Sequence, residues 1–311
     1  MVTASAKIPV YHRHSPGDIH RVRRTVKGNS MIGTEPSRTA MMAAAARAAH
    51  LLIDSEPYLF RDTMASALLG PHAEELIGYH LHHGDHPLLA AVRAQATVRS
   101  HWTEQRLAES AAAQYVVLGA GLDSFGYRGP ADGIRIFEVD HPGTQRWKRE
   151  ILAIGDIRPV GDVVFVPVDF ERDELPRQLA EAGFDRERPA VVSWLGVSMY
   201  LTTEAIGATL AALSGLAPGS ELVMEYMLDP ALRDGNGHAY AESVQPVTSA
   251  QGEPWLSTFT PETLDAVLRR YGFTTVEHIS HRAAVPAGWW ERADALQPVD
   301  LCRLAHARIG G

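Results

Sequence analysis

Cysteine is almost absent from this 311-residue chain. A single thiol, Cys302, makes neither an internal disulfide nor a cysteine-based zinc site. That points to a reducing, cytoplasmic setting. Cys302 lies in a stretch where apolar and polar residues alternate, and it reads as a strand residue. No apolar run approaches the roughly 20 residues needed to cross a bilayer. The start lacks the apolar run and small-residue cleavage site of a secretory signal. Neither a membrane nor an export route is expected. Repeats and low-complexity tracts are also missing, apart from alanine-rich helical stretches.

The net charge is -8 and is unevenly spread. Residues 1–50 hold eight Lys/Arg, among them Arg21, Arg23, Arg24 and Lys27, against Asp18 and Glu35. This segment reads as a basic, mobile arm over 1–33 that can attract an anion. It has no interleaved aromatics and the body is acidic, so no nucleic-acid partner is expected.

Hydrophobic patterning divides the remainder. Residues 34–113 read as a helical cap. Within it, Ser37 caps a helix over 37–53, a short helix starts near Asp62 and covers 62–69, and a long one opens at Pro87 and runs to 112. YHLHHGDH (79–86) reads as a loop; His80, His82, His83, Asp85 and His86 lack a second ligand cluster, and no metal is assigned. From 114 to 311 short apolar runs alternate with helical segments. Strands fall at 114–118, 134–140, 163–170, 190–195 and 220–227, followed by two alternating ones at 274–281 and 299–308. This order predicts an α/β, doubly wound, Rossmann-like sheet, mostly parallel with an antiparallel edge. The polar, Gly/Pro-rich segment 228–258 reads as an inserted lid. With Tyr226, Tyr240 and Trp255 it offers an acceptor-selecting surface.

The central signal is VVLGAGLDS (116–124). Gly119, Ala120 and Gly121 follow the first parallel strand, where open α/β sheets bind ligands. A dinucleotide fingerprint asks for glycine at 124, which is Ser, and a phosphate-binding loop asks for a lysine that is missing. S-adenosyl-L-methionine has no phosphate and suits the loop. Asp140 ends the second strand, where a carboxylate can accept both ribose hydroxyls. Asp169, followed by Phe170, ends the third, where an acid and an apolar side chain can hold adenine. The competing reading is that both acids cap the helices that follow them.

Together these residues resemble the leucine carboxyl methyltransferase family, in its bacterial branch of S-adenosylmethionine-dependent O-methyltransferases. The resemblance rests on SRTA with AARA (37–48), Arg99, VVLGAGLDSFGYR (116–128), FEVDHP (137–142), PVDF (167–170) and WLGVSMYLT (194–202). It implies a class I methyltransferase fold with an N-terminal helical addition. Arg99 would then pair with the cofactor carboxylate, and Arg38 would contribute from the cap. Gly119 and Gly121 would underlie the methionine tail, with Asp140 and the adjacent His141 at the ribose, and Asp169 and Phe170 at adenine. One position departs from the pattern: the family's Glu on the fourth strand is Leu195, which accepts no hydrogen bond, so a backbone carbonyl or Asp123 would stand in.

The reaction expected is methyl transfer to the carboxylate of a peptide terminus or natural-product acid. Such a nucleophile is ionised at neutral pH and needs no base. Hydroxyl transfer to an aromatic or polyketide metabolite is the alternative and would use a base; Tyr200, His101, His141 and His238 are the candidates. A scaffold that binds the cofactor without turnover is the third reading, resting on Leu195 alone.

Overall fold

The computed structural model describes residues 37–129, 133–170 and 172–310. The basic arm expected over 1–33 lies outside them. Four helices precede the sheet: α1 (Arg38–Ile53), α2 (Ala65–Leu68), α3 (Ala73–His83) and α4 (Pro87–Glu109). The strands and remaining helices then alternate. They are β1 (Gln114–Leu118), α5 (Phe125–Arg128), β2 (Arg135–Asp140), α6 (Pro142–Ile154), β3 (Asp162–Pro167), α7 (Leu175–Glu181), β4 (Ala190–Trp194), α8 (Thr203–Leu213) and β5 (Glu221–Met227). After these come α9 (Gly235–Ala250), α10 (Pro261–Arg270), β6 (Phe273–Ser280) and β7 (Cys302–Ile309).

The strand order is β3-β2-β1-β4-β5-β7-β6. Pairings among β1 to β5 are parallel, and β7 runs antiparallel to both β5 and β6. The reversed strand is therefore second from the edge, and β6 forms the edge itself. Between β3 and β4 the chain crosses to the other side of β1, so the loops after β1 and β4 diverge and leave a crevice at the carboxyl edge.

Helices on both faces explain why β1 is buried at every position. Val116, Leu118, Phe137, Val139 and Trp194 pack with α7, α8 and α10 on one face. Tyr115, Val117 and Ile136 join Phe125 of α5 on the other. The long helix α4 packs directly on the sheet: Ala94, Val98 and Trp102 meet Val223 of β5 and Leu304 of β7.

Local chemistry sets the helix ends. Ser37 Oγ accepts from Ala40 N at 3.2 Å, and Thr260 with Thr263 forms a reciprocal cap on α10. The expected helix from Asp62 is shorter than the sequence suggested. Asp62 Oδ1 accepts from Met64 N and Ala65 N, so the residue caps the single turn of α2 from outside. The stretch 79–86 is a loop only over 84–86. Tyr79 to His83 form the last turns of α3, because Ile77 and His80 are buried on its inner face and stabilise a helix there. His80 is pushed down to about 4, first by burial and then by the nearby Arg93. His86 instead caps α4.

A buried ionic network fastens this helical layer to the loop after β1. Arg47 of α1 donates from Nε to Asp62 Oδ2 at 2.7 Å and from Nη2 to the carbonyl of Leu122 at 2.7 Å. Ser124 Oγ donates to Asp62 Oδ2 at 2.6 Å and accepts from Arg128 Nε at 2.8 Å, and Arg128 in turn pairs with Glu104 of α4. Burial works to raise Asp62, but Arg47, Arg128 and Ser124 outweigh it and hold the carboxyl below its ordinary value. Removing one member of a buried pair strands the other, at about 3–5 kcal/mol. Asp62→Ala is therefore expected to lower the unfolding free energy by about that amount, read by urea denaturation. Because Asp62 is depressed, the difference between wild type and variant is complete above its unfolded value of about 3.9 and shrinks as pH falls below it.

Candidate active site

The carboxyl edge of the sheet opens into a cavity of about 730 Å³. Its floor is the loop after β1. Gly119 and Gly121 have φ of +66° and +48°, which glycine adopts without strain. The surroundings are equally restrictive: a Cβ on Gly119 would come within 2.3 Å of Val197 Cγ2, and one on Gly121 within 3.1 Å of Ala40. The loop is pinned to the end of β2, since Gly119 N and Ala120 N both donate to the carbonyl of Val139.

Asp140 stands at the end of β2. Its Oδ2 accepts from Gly121 N and its Oδ1 from His141 N at 2.6 Å. The carboxylate thus fixes the glycine loop while lining the cavity. Burial raises its pKa, against those two backbone donors. It does not cap the next helix. That role falls to His141, whose Nδ1 accepts from Gly143 N at 3.1 Å. Asp169 does not cap a helix either, because Glu174 precedes α7; Asp169 and Phe170 line the cavity beyond β3.

Arg99 reaches the cavity from α4. Its Nη1 donates to Glu225 Oε2 at 2.6 Å, and Glu225 is fully buried on β5. Glu225 Oε1 accepts from Gln95 Nε2 at 2.9 Å and lies 3.1 Å from His281 Nε2. Burial works to raise Glu225, yet Arg99 and His281 overcome it and hold the carboxyl at about 2. Sequence reasoning missed this residue. The one signal was a charged side chain inside the apolar run SELVMEYM. Leu195, where the family carries Glu, lines the cavity as an apolar side chain just beyond the paired Trp194 and Met224. At the neighbouring level of the sheet the carboxylate sits on β5 and faces Arg99.

Other candidates are brought together unevenly. Arg38, Ala120, Asp123, His141 and Tyr200 all line the cavity. Asp123 Oδ1 also accepts from Phe125 N at 2.9 Å. Burial pushes the Tyr200 phenol up to about 12. His101 is not at the site. Two residues along α4 from Arg99 is about 200° of helical rotation, and the ring instead lies 5.9 Å from that of Trp289. His238 is exposed and outside the lining. The segment 228–258 is built mainly as helix α9, which supplies Tyr240, Ser243 and Val247 to the cavity, with Glu253 and Trp255 just after it. Tyr226 is no part of that surface: it is buried on β5, 3.0 Å from His278 Nδ1. Cys302, the first residue of β7, also lines the cavity, and burial pushes its thiol well above the ordinary value.

A flexed glycine loop, an acid at the end of β2, an acid and aromatic pair after β3, and a cationic side chain from α4 fit a nucleoside with an amino-acid tail. The seven-stranded order with β7 reversed is the class I methyltransferase fold. A candidate methyltransferase from Thermobifida fusca has this fold (TM-score 0.55, 20% identity, 89% of this chain and 96% of that one). So does a DUF574 family protein from Streptomyces avermitilis (TM-score 0.58, 17% identity, 88% and 98%). The family model of leucine carboxyl methyltransferase matches residues 40–214, and the chain belongs to that family. Among its relatives, YktD of Bacillus subtilis, named as a candidate S-adenosyl-L-methionine-dependent methyltransferase, is 34% identical over 200 residues. That match covers 63% of this chain and 65% of YktD. A similarly named protein of Mycolicibacterium smegmatis is 34% identical over 185 residues, covering 54% of this chain and 62% of its own length.

Glu225→Gln tests the buried pair behind the wall. Removing the charge strands Arg99 and is expected to cost about 3–5 kcal/mol at pH 7, by urea denaturation. The sign follows from a depressed acid. The wild-type advantage is full above the unfolded value of about 4.3 and is lost as pH falls through the folded value of about 2. Equal stability of the two proteins at pH 7 would contradict the assignment.

Proposed function

We propose that this chain binds S-adenosyl-L-methionine in the cavity and is a methyltransferase acting on a carboxylate oxygen. In this reading the main chain at Gly119 and Gly121 lies under the methionine tail, and Asp140 accepts from the ribose hydroxyls. Asp169 and Phe170 hold adenine by hydrogen bonding and packing. Arg99, steadied by Glu225, presents its remaining N–H groups to the cofactor carboxylate. The cofactor brings an electrophilic sulfonium methyl.

The observation that carries the choice of oxygen is the state of the cavity's histidine. Among the described lining residues His141 is the one imidazole. Its Nδ1 lone pair is taken by Gly143 N–H, which leaves the proton on Nε2 and the ring a donor. The Tyr200 phenol, at about 12, stays protonated and is a donor too. A carboxylate acceptor needs neither as a base. The chain's work is then positioning and exclusion of water, a contribution of about 7–11 kcal/mol when the geometry is good.

Isothermal titration with S-adenosylmethionine and S-adenosylhomocysteine tests the cofactor half. Wild type is expected to bind both in the micromolar range. Asp140→Ala is expected to weaken both by about 10- to 100-fold, as loss of hydrogen bonds to a charged group of about 1.5–3 kcal/mol implies. No binding of either ligand by the folded wild type would overturn the reading.

A further inference from the structure

The arginine expected at the cofactor carboxylate is held by contacts that lead away from the cavity. Glu225 is completely buried on β5, and its two oxygens have separate tasks. Oε2 accepts from Arg99 Nη1 at 2.6 Å, while Oε1 accepts from Gln95 Nε2 at 2.9 Å and lies 3.1 Å from His281 Nε2. Arg99 and Gln95 both belong to α4, four positions apart, and both line the cavity. His281 does not line it. It follows the last residue of β6 and is 2% exposed.

The sheet explains how His281 reaches that carboxylate. β7 separates β5 from β6, and Leu304 of β7 pairs with Glu225 on one side and with Ile279 on the other. His281 stands two residues beyond Ile279, so its ring meets Glu225 across β7. The turn that carries it is fastened. Ala283 N and Ala284 N donate to the carbonyl of Ser280 at 3.0 and 2.9 Å, and Trp290 Nε1 donates to that of Arg282 at 2.8 Å. The terminal torsion of a glutamate is broad, so a single donor leaves its carboxylate free to turn. With Oε1 held both from α4 and from beyond β6, Oε2 meets Arg99 in one direction. Gly196 leaves room for the guanidinium there, since a Cβ on it would come within 2.7 Å of Arg99 Nη1 and 3.0 Å of Nη2.

We propose that His281 is a positioning residue for the cofactor: acting through Glu225, it aims the remaining N–H groups of Arg99 at the tail carboxylate, and so sets how strongly the site prefers a ligand that carries one. A guanidinium is a planar fork with fixed donor directions, and its bonds to a carboxylate weaken when the fork is turned. Charge is not what His281 supplies, because Arg99 already faces Glu225 at 2.6 Å. It adds a hold on Oε1 from a second element of the fold. This inference rests on the cofactor reading and extends it to a residue outside the cavity.

The test is calorimetric titration of the full chain with S-adenosylhomocysteine and with its decarboxylated analogue, which differs in the tail carboxylate alone. Binding of neither ligand by wild type faults the cofactor reading itself. Wild type is expected to prefer S-adenosylhomocysteine by about tenfold or more. His281→Leu is expected to weaken S-adenosylhomocysteine by about fivefold or more, and to leave the decarboxylated analogue within about twofold of wild type. General loosening of the fold would weaken both ligands alike. His281→Gln, whose amide can still donate to Glu225, is expected to keep most of the wild-type preference. His281→Asn, whose amide falls short of Glu225, is expected to lose it, and it replaces His281→Leu if that variant does not fold. The proposal is overturned by unchanged S-adenosylhomocysteine affinity in His281→Leu or His281→Asn, or by equal loss of both ligands. It is overturned equally by a wild type that shows no preference for the carboxylate.

Discussion

The site depends on one buried carboxylate outside it. Asp62 accepts from Arg47 and Ser124, and Arg47 reaches on to the carbonyl of Leu122. These contacts tie a helix 66 or more residues upstream to the loop that leaves β1. The clamp acts beside the contacts that pin the loop to the end of β2, through Asp140 and the carbonyl of Val139. The loop's glycines have positive φ, and two of its N–H groups share one carbonyl. Ion pairs of this kind are a costly way to gain stability, since both partners lose water. Their return is geometric: a planar guanidinium with fixed donor directions sets the distance between α1 and the loop to within a hydrogen bond.

A second buried carboxylate repeats the logic deeper in the sheet. Glu225 turns Arg99 to a definite orientation, and Gln95 and His281 hold Glu225 in turn. Asp140 does the same for the glycine loop from the opposite side, through Gly121 N. Arg99 and the glycine loop, both expected to touch the cofactor, are therefore braced by other residues, so that little rearrangement of them is required on binding. The far half of the cavity is different in kind. There α9 and the segment after it contribute aromatic and apolar walls with a single carboxylate, a composition suited to selecting an acceptor rather than to chemistry on it.

Much of this was legible from the sequence because it depends on local pattern. Buried parallel strands such as QYVVL and AVVSW read as apolar runs, and a loop of GAG after the first of them marks the switch point whatever surrounds it. The cap at Ser37 follows from a single residue. What stayed hidden depends on partners far along the chain. Glu225 gains its role from Arg99, 126 positions away, and Asp62 from Ser124, 62 positions away. Histidine-rich 79–86 misled because polarity masks the inner face of α3, on which only Ile77 and His80 are buried. His101 misled because its neighbour in sequence to Arg99 points to another face of the helix. Leu195 reads as a lost contact in one strand, whereas the structure places a carboxylate on the next one.

The measurement closest to the central claim is S-adenosylhomocysteine affinity in the double variant Arg47→Met/Asp62→Leu. Apolar replacement of both partners of a buried pair is often neutral for stability, which separates positioning from folding. Asp62 lies outside the cavity lining, and Arg47, which lines it, is committed to Asp62 and to the carbonyl of Leu122. The account predicts a variant that still unfolds cooperatively and, while folded, binds S-adenosylhomocysteine at least tenfold more weakly, about 1.4 kcal/mol. Unchanged affinity in that folded variant would show that the loop after β1 holds its shape without the clamp, and would contradict the account.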